Sequence, residues 1–226
     1  MGYRFYKLSN GTNCSRAIGF ERLTVEPGTT AIANQLDAPS NTLDGLFNIG
    51  SGHTMIDGTV LPPGTQIQKW NGSEGACDVS TWSGTSWSPN GNVTLNPGEG
   101  AFIDNNSGSP FVVTFVGLVR DGGQLVISLE ANASSFVSSE VPQAGGVQST
   151  LGYNPEMGDA VWTWSGTDWL IYNYLGDADP VDYPTGWMDQ NGNSCPEPVI
   201  DVGEGFWIIT GSASDETWTR TFSACH

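Results

Sequence analysis

The sequence predicts an all-β protein: two tandem β-sandwich or barrel-like repeats related by internal duplication, preceded by a strand-like N-terminal arm. Three observations support this fold class. The 226 residues include 30 Gly and 13 Pro, which fits many short strands joined by tight turns. Apolar and polar residues alternate along many short segments. The motif NPGEGAFI, which begins at Asn96, recurs as DVGEGFWI from Asp201, so that Gly98 and Gly203 lie 105 positions apart.

The element order follows from this alternation and from the turn residues between segments. Strands are predicted over 3–8, 18–25, 30–36, 65–70, 79–88, 100–103, 111–119, 124–129, 135–140, 160–165, 168–174, 205–210 and 216–222, and single helical turns over 42–47 and 147–151. The predicted units are an arm over 1–16, a first repeat over 17–115 and a second over 116–226. Equivalent positions include Ile32 with Val137 and Leu46 with Leu151.

The middle of the repeats can be aligned in two ways. The segment KWNG from Lys69 can be matched with TWSG from Thr163, which keeps the order of elements and requires an insertion in the first half. Alternatively, WSGTSW from Trp82 matches WSGTDW from Trp164 almost letter for letter. Both alignments place tryptophans on strands around a tight turn, as in a β-hairpin.

The charge balance excludes several classes of partner. The chain has 24 acidic and 7 basic residues, for a net charge of −17. Nucleic acid is excluded because no basic stripe is present to neutralise phosphates. An anionic membrane surface is excluded for the same reason, and no apolar stretch approaches the ~18 residues of a membrane span.

The basic residues are concentrated at the N-terminus. The first 22 residues contain four basic residues and one acid, a balance of +3, whereas the other 204 contain three basic residues and 23 acids, a balance of −20. The arm therefore has a charge complementary to the body of the chain. Its aromatic and basic residues are those of an extended strand: Tyr3, Arg4, Phe5, Tyr6, Lys7 and Leu8.

Such a strand can add to an exposed sheet edge of a neighbouring subunit. Head-to-tail contact of this kind, if it does not close, produces a filament. The alternatives are a disordered tail or an ordinary first strand of the same domain. The main functional prediction is a non-enzymatic extracellular structural subunit of a self-assembling surface filament or sheath.

The order of motifs resembles a known family. GFxxLTV from Gly19, IANQLDA from Ile32, NTL from Asn41 and NPGEGAF from Asn96 are similar to motifs of a family of uncharacterised, secreted tandem-repeat β-proteins of environmental bacteria. The similarity covers roughly residues 17–222. The resemblance implies export and a two-repeat organisation, and it implies no catalytic residues.

The cysteines and glycosylation sequons also favour an exported chain, with a signal peptide that was removed or not included. Four cysteines without a Cys-x-x-Cys pair fit disulfides better than zinc. The preferred pairings among three alternatives are Cys14–Cys225 and Cys77–Cys195, and four free thiols are the other interpretation. Asn-x-Ser/Thr sequons begin at Asn10, Asn13, Asn71, Asn92, Asn105 and Asn132.

Catalytic residues are scarce. The only two histidines are His53 and His226, and no nucleophile elbow accompanies them. The remaining enzymatic alternative is a glycan-acting enzyme with paired carboxylates. Glu99 and Glu204, at equivalent Gly-Glu-Gly positions, are the candidates. The structural alternative, favoured by their recurrence, is a turn in which each glutamate accepts nearby backbone N–H groups.

Two binding sites are also predicted. No cofactor is required, but a calcium site is possible. Its candidate ligands are the oxygen-bearing side chains of Asp177, Asp179, Asp182, Asp189, Asn191 and Asn193. A secreted carbohydrate-binding or adhesion module is the first alternative function. Its sugar platform would consist of the aromatic residues Trp87, Trp169, Tyr172, Tyr174 and Trp187, for which packing within the hairpins is the other interpretation.

Overall fold

The computed structural model describes the backbone of residues 2–10, 13–47, 58–121, 123–176 and 186–223, and side chains from Ala17 onward. These residues form strands and one short helix, so the all-β prediction is confirmed. The first half contains β1 (Gly2–Asn10), β2 (Asn13–Val25), β3 (Gly28–Ala33), α1 (Leu43–Phe47), β4 (Gln66–Asn71), β5 (Ala76–Trp82), β6 (Trp87–Ser88), β7 (Gly100–Asn105) and β8 (Phe111–Val119). The second half contains β9 (Gln124–Leu129), β10 (Ser134–Val137), β11 (Gly145–Gly146), β12 (Ala160–Trp164), β13 (Trp169–Tyr174), β14 (Trp187–Asp189), β15 (Val199–Ile200), β16 (Phe206–Ile209) and β17 (Glu216–Thr221).

Two five-stranded antiparallel sheets have the same strand order. The first is β3-β7-β4-β5-β6 and the second is β10-β16-β12-β13-β14. In each half a further pair joins the first and last strands of the repeat, β2 with β8 and β9 with β17. This correspondence supports the predicted duplication. It also favours the alignment of Lys69 with Thr163, because they lie on the first strands of equivalent hairpins, β4–β5 and β12–β13, whereas WSGTSW connects β5 to β6.

Each half has a buried cluster made by its five-stranded sheet and its two-strand ladder. The first cluster includes Leu23 and Phe115 from the ladder and Ile32 and Ile103 from the sheet. The second includes Leu129 and Trp218 from the ladder and Val161 and Phe206 from the sheet. Each such side chain stabilises its half by roughly 1.5–3 kcal/mol on burial. Each cluster therefore receives side chains from two sheets, which is compatible with the predicted β-sandwich.

The N-terminal segment is a strand, as predicted, but it pairs with its own chain. β1 lies antiparallel to β2, from Gly2 opposite Arg22 to Asn10 opposite Asn13. This pairing is that of an ordinary first strand of the same domain, the alternative considered above, and addition to a neighbouring subunit stays a prediction. The physical reason is proximity: only two residues separate β1 from β2, and closing so short a hairpin costs little entropy. The predicted side-chain contacts of the arm lie outside the described residues: Tyr3, Arg4, Phe5, Tyr6, Lys7 and Leu8.

The predicted strand spans all overlap observed strands and differ from them in two respects. The span 79–88 is divided into β5 and β6, and the short strands β11, β14 and β15 were not predicted. The predicted helical turn at 42–47 is α1. The one at 147–151 is a turn in which the amides of Thr150 and Leu151 both donate to the carbonyl oxygen of Gly146, at 3.0 and 2.9 Å. Within the described residues no helix is long and apolar enough to cross a membrane.

Candidate functional site

The two halves meet along a seam where equivalent backbone positions exchange hydrogen bonds. The amide of Ala33 donates to the carbonyl oxygen of Gly203 at 2.8 Å, and the amide of Ser138 donates to that of Gly98 at 3.0 Å. The two donors, Ala33 and Ser138, are 105 positions apart, and so are the two acceptors, Gly98 and Gly203. The contact therefore has the form of an isologous interface around a pseudo-twofold axis.

A buried amide reinforces the seam on one side. Gln35 is fully buried; its Oε1 accepts the amide of Gly203 at 2.9 Å, and its Nε2 donates to Ser138 Oγ at 3.0 Å. Glu140 occupies the position in the second repeat that is equivalent to Gln35, and it forms an ion pair with Arg120 instead. The seam is thus symmetric in its backbone bonds and asymmetric in its side chains.

Aromatic rings fill the centre of the seam. Phe102 of the first sheet stacks on Phe136 of the second, with ring centroids 4.2 Å apart. Trp207 lies 4.9 Å from Phe136 and also 4.9 Å from Trp70. The indole of Trp70 is held in place because its Nε1 donates to the carbonyl oxygen of Ser134 at 2.8 Å.

A groove opens beside these rings on the outer face of the second sheet. Along β12, Val161 and Thr163 are buried, whereas Trp162 and Trp164 are half-exposed, as expected from the alternation of a strand. The groove at this point has a volume of about 320 Å³. Its walls, here called the aromatic end of the seam groove, are Trp70, Ser134, Trp162, Trp169, Trp207 and Ile209.

A larger, more polar section of about 780 Å³ adjoins the aromatic end at Trp70 and Ser134. Its walls come from both halves of the chain. Its polar side chains, here called the polar end of the seam groove, include Lys69, Asn71, Ser73, Glu99, Glu130 and Asn132. Trp70 and Ser134 line both sections. The two sections therefore place aromatic faces next to hydrogen-bonding groups, a composition found in ligand-binding sites.

The predicted sugar platform is corrected by the structure. Trp87 and Trp187 are buried in the two cores, and Tyr172 and Tyr174 pack against the second core. Only Trp169 lies in the groove. Neighbouring residues of β13 point to opposite faces of the sheet, so Trp169 and the two tyrosines cannot form one platform.

Three groove tryptophans were missed by sequence reasoning: Trp70, Trp162 and Trp207. The alternation of Trp162 and Trp164 does place both on one face of a strand. Whether that face is buried or open depends on the position of the other repeat, which no local pattern records. Trp207 was recognised only as a partner of Phe102 in the duplication.

The glutamates of the Gly-Glu-Gly segments take the predicted structural role. Glu99 Oε2 accepts the amide of Asn96 at 2.6 Å, and Glu204 Oε2 accepts the amide of Asp201 at 2.9 Å. Burial, opposed by this hydrogen bond and assisted by the charge of Asp201, raises the pKa of Glu204 to about 7. Each carboxylate fixes its own turn, and only Glu99 lines the groove.

The loop after β14 uses its oxygen atoms internally. Asp189 Oδ1 accepts the amides of Asn191 and Asn193, both at 2.9 Å. These hydrogen bonds lower the pKa of Asp189. The described residues contain no group of three or more His, Cys, Asp or Glu side chains suited to a metal. The other predicted ligands, Asp177, Asp179 and Asp182, lie outside the described residues, so calcium binding stays a prediction.

The predicted Cys77–Cys195 disulfide is contradicted. Cys77 lies on β5 of the first sheet and Cys195 follows β14 of the second, and they are not bonded to one another. Their positions in different sheets explain why. Burial and the neighbouring charge of Asp78 raise the pKa of the Cys77 thiol. The other predicted pair, Cys14–Cys225, lies outside the residues whose side chains are described.

The sequons differ in accessibility. Asn105 is buried, and its Nδ2 donates to the carbonyl oxygens of Val25 and Ser109 at 3.1 and 2.8 Å, which is incompatible with a glycan in the folded chain. Asn92 and Asn132 are exposed and Asn71 is half-exposed. The side chains of Asn10 and Asn13 are not described.

No protein-family model, curated protein or solved structure matches this chain. The resemblance to secreted tandem-repeat β-proteins, and with it the extracellular location, stays a prediction.

Proposed function

We propose that this chain is a carbohydrate-binding module that holds a glycan in the seam groove. The observation that supports this most is the set of half-exposed tryptophans at the aromatic end, directly beside the polar end. Indole faces stack on the apolar faces of sugar rings, while amides, hydroxyls and carboxylates bond their hydroxyls. Both kinds of contact are available along one groove.

The rigidity of the groove favours binding. Trp70 is fixed by its hydrogen bond to Ser134, and Trp207 is fixed by contacts with Trp70 and Phe136. Side chains that are already ordered lose little conformational entropy when a ligand arrives. The walls come from both repeats, so the site exists only when the seam is formed.

The test is calorimetry of the full chain with neutral β-linked oligosaccharides, compared with Trp162→Ala and Leu170→Ala. Trp162 lines the groove, whereas Leu170 is an exposed residue of β13 outside it. We expect Trp162→Ala to weaken binding by about tenfold or more, the loss of one stacking contact, and Leu170→Ala to have no effect. Thermal unfolding confirms that both variants fold. Absence of binding to every glycan, or equal effects of the two changes, would contradict the proposal.

Self-assembly into a filament is a second candidate, favoured by one observation. β1 is the end strand of the sheet β1-β2-β8, so one of its edges has no strand partner in that sheet. Such an unpaired edge can form hydrogen bonds with a strand of a second copy of the chain. Negative-stain microscopy of the native protein tests it: regular filaments support assembly, and monodisperse monomers reject it.

A further inference from the structure

The polar end of the seam groove contains one cation, and its charge is already neutralised. Lys69 Nζ lies 2.9 Å from Glu99 Oε1 and donates to the carbonyl oxygen of Thr94 at 2.8 Å. With these two strong contacts, the ammonium is held against the protein wall. It is therefore poorly placed to receive an anionic group of a ligand.

Glu130 lines the same section and differs from Glu99. Its backbone carbonyl accepts Thr210 Oγ1 at 2.6 Å, which fixes the chain at the end of β9. Its side chain is exposed, and among the described residues no group forms an ion pair or hydrogen bond with its carboxylate. A ligand in the groove would therefore meet a negative charge that is not neutralised by a described residue.

Three other cations have described side chains, and the first of them, Arg22 on β2, does not line the groove. Arg120 pairs with Glu140, and Arg220 donates to Ser139 at 3.1 Å. Neither residue lines the groove. The accessible charge of the site is thus negative, as is that of the chain as a whole, at −17.

We infer that the groove selects glycans by charge: it prefers a polymer of amino sugars with protonated amines over a neutral one, and rejects uronic-acid or sulfated glycans. This inference rests on the proposed function, since it concerns the same groove. The tryptophans provide affinity for any sugar with an apolar face. Glu130 adds attraction for an amine, and a polyanion would bring like charges together without a cation to compensate.

The experiment compares three hexasaccharides by calorimetry with the full chain at mildly acidic pH: β-1,4-linked glucosamine, the equivalent glucose oligomer and a galacturonate oligomer. We expect the glucosamine oligomer to bind about two- to fivefold more tightly than the glucose oligomer, the range for an exposed ion pair. We expect no binding of galacturonate. The advantage should disappear at about 0.3 M salt, because exposed charges are then screened.

Two variants distinguish an effect of the groove from an effect of the chain's overall negative charge: Glu130→Gln removes a charge in the groove, and Glu26→Gln removes one elsewhere. Glu26 is exposed, directly follows β2 and is not part of the groove. We expect Glu130→Gln alone to remove the preference for the amine. Equal effects of the two changes, binding of galacturonate, or no preference between glucosamine and glucose would each overturn the inference. If glucose still binds, the proposed function survives; if no oligomer binds, both fail.

Discussion

Trp70 and Trp164 make reciprocal hydrogen bonds across the seam. The indole of Trp70, in the first repeat, donates to the carbonyl oxygen of Ser134 in the second at 2.8 Å. The indole of Trp164, in the second repeat, donates to that of Thr29 in the first at 3.0 Å. The two acceptors are 105 positions apart, and the two tryptophans lie at or next to the ends of the equivalent strands β4 and β12. The pseudo-twofold relationship thus extends from the backbone to the side chains that flank the groove.

The first prediction concerns this pair. Trp70→Phe and Trp164→Phe each keep an aromatic ring and remove the indole donor. Each should lower the free energy of unfolding by about 1 kcal/mol, since one hydrogen bond is lost. Urea unfolding curves measure this change. If only one of the two variants lost stability, the two indole hydrogen bonds would not contribute equally and the prediction would fail.

The second prediction concerns pH. Glu21 is buried at 1% exposure, and its Oε2 lies 3.4 Å from the amide of Gln35, which donates to it. Burial raises the pKa of Glu21 from 4.5 to about 8. The unfolded chain releases this proton near pH 4.5 and the folded chain only near pH 8, so the stability contributed by the group is lost as pH rises between these values.

Glu21→Gln is the variant that tests this linkage. The neutral amide has a similar shape and can still accept the hydrogen bond from Gln35. The free energy of unfolding of the Glu21→Gln variant should decline less between pH 5 and pH 8 than that of the wild type. The residual decline should come from Glu204 and Glu216, whose pKa values are both raised to about 7, mainly by burial. Parallel pH profiles of the two proteins would contradict the assignment.

The third prediction compares two glycines with similar backbone angles. Gly203 has φ +76° and Gly192 has φ +83°, so alanine is strained at both by about 1–2 kcal/mol. A Cβ on Gly203 would lie 2.5 Å from the side chain of Leu23, whereas one on Gly192 would meet nothing within 4 Å. Gly203→Ala should therefore be the more destabilising, by a further 1–3 kcal/mol or so. Equal melting temperatures of the two variants would refute this account of the seam.

The fourth prediction concerns cysteine reactivity. Peptide mapping without reduction should find no Cys77–Cys195 cross-link. Cys77 should react with iodoacetamide slowly at neutral pH, because its thiol has a raised pKa and only the thiolate reacts. The rate should rise as the solution becomes alkaline. Recovery of the cross-linked peptide from native protein would contradict the structure.

Local patterns predicted most of the fold but little of the groove. Strands such as β8 were predicted because its nine residues form an almost continuous run of apolar, β-branched and aromatic side chains, which is typical of a buried strand. The two- and three-residue strands β11, β14 and β15 are too short to carry a period. The glutamate turns were predicted because Gly-Glu-Gly recurs in each repeat.

The tryptophan hairpins show why the site was harder to predict. WSGTSW and WSGTDW are nearly identical and both form hairpins in which the two tryptophans face each other, Trp82 with Trp87 and Trp164 with Trp169. The first pair is buried in a core and the second is half-exposed. The difference depends on which strands the hairpin joins and on where the other repeat packs, so it is a property of the tertiary structure.

The most direct test of glycan binding at the seam is an NMR titration that follows the indole N–H signals of the tryptophans. A neutral hexasaccharide should shift the signals of Trp70, Trp162, Trp169 and Trp207, which line the groove. The signals of the buried Trp82, Trp87, Trp187 and Trp218 should stay in place. Shifts confined to other residues, or no shifts with any glycan, would contradict the account.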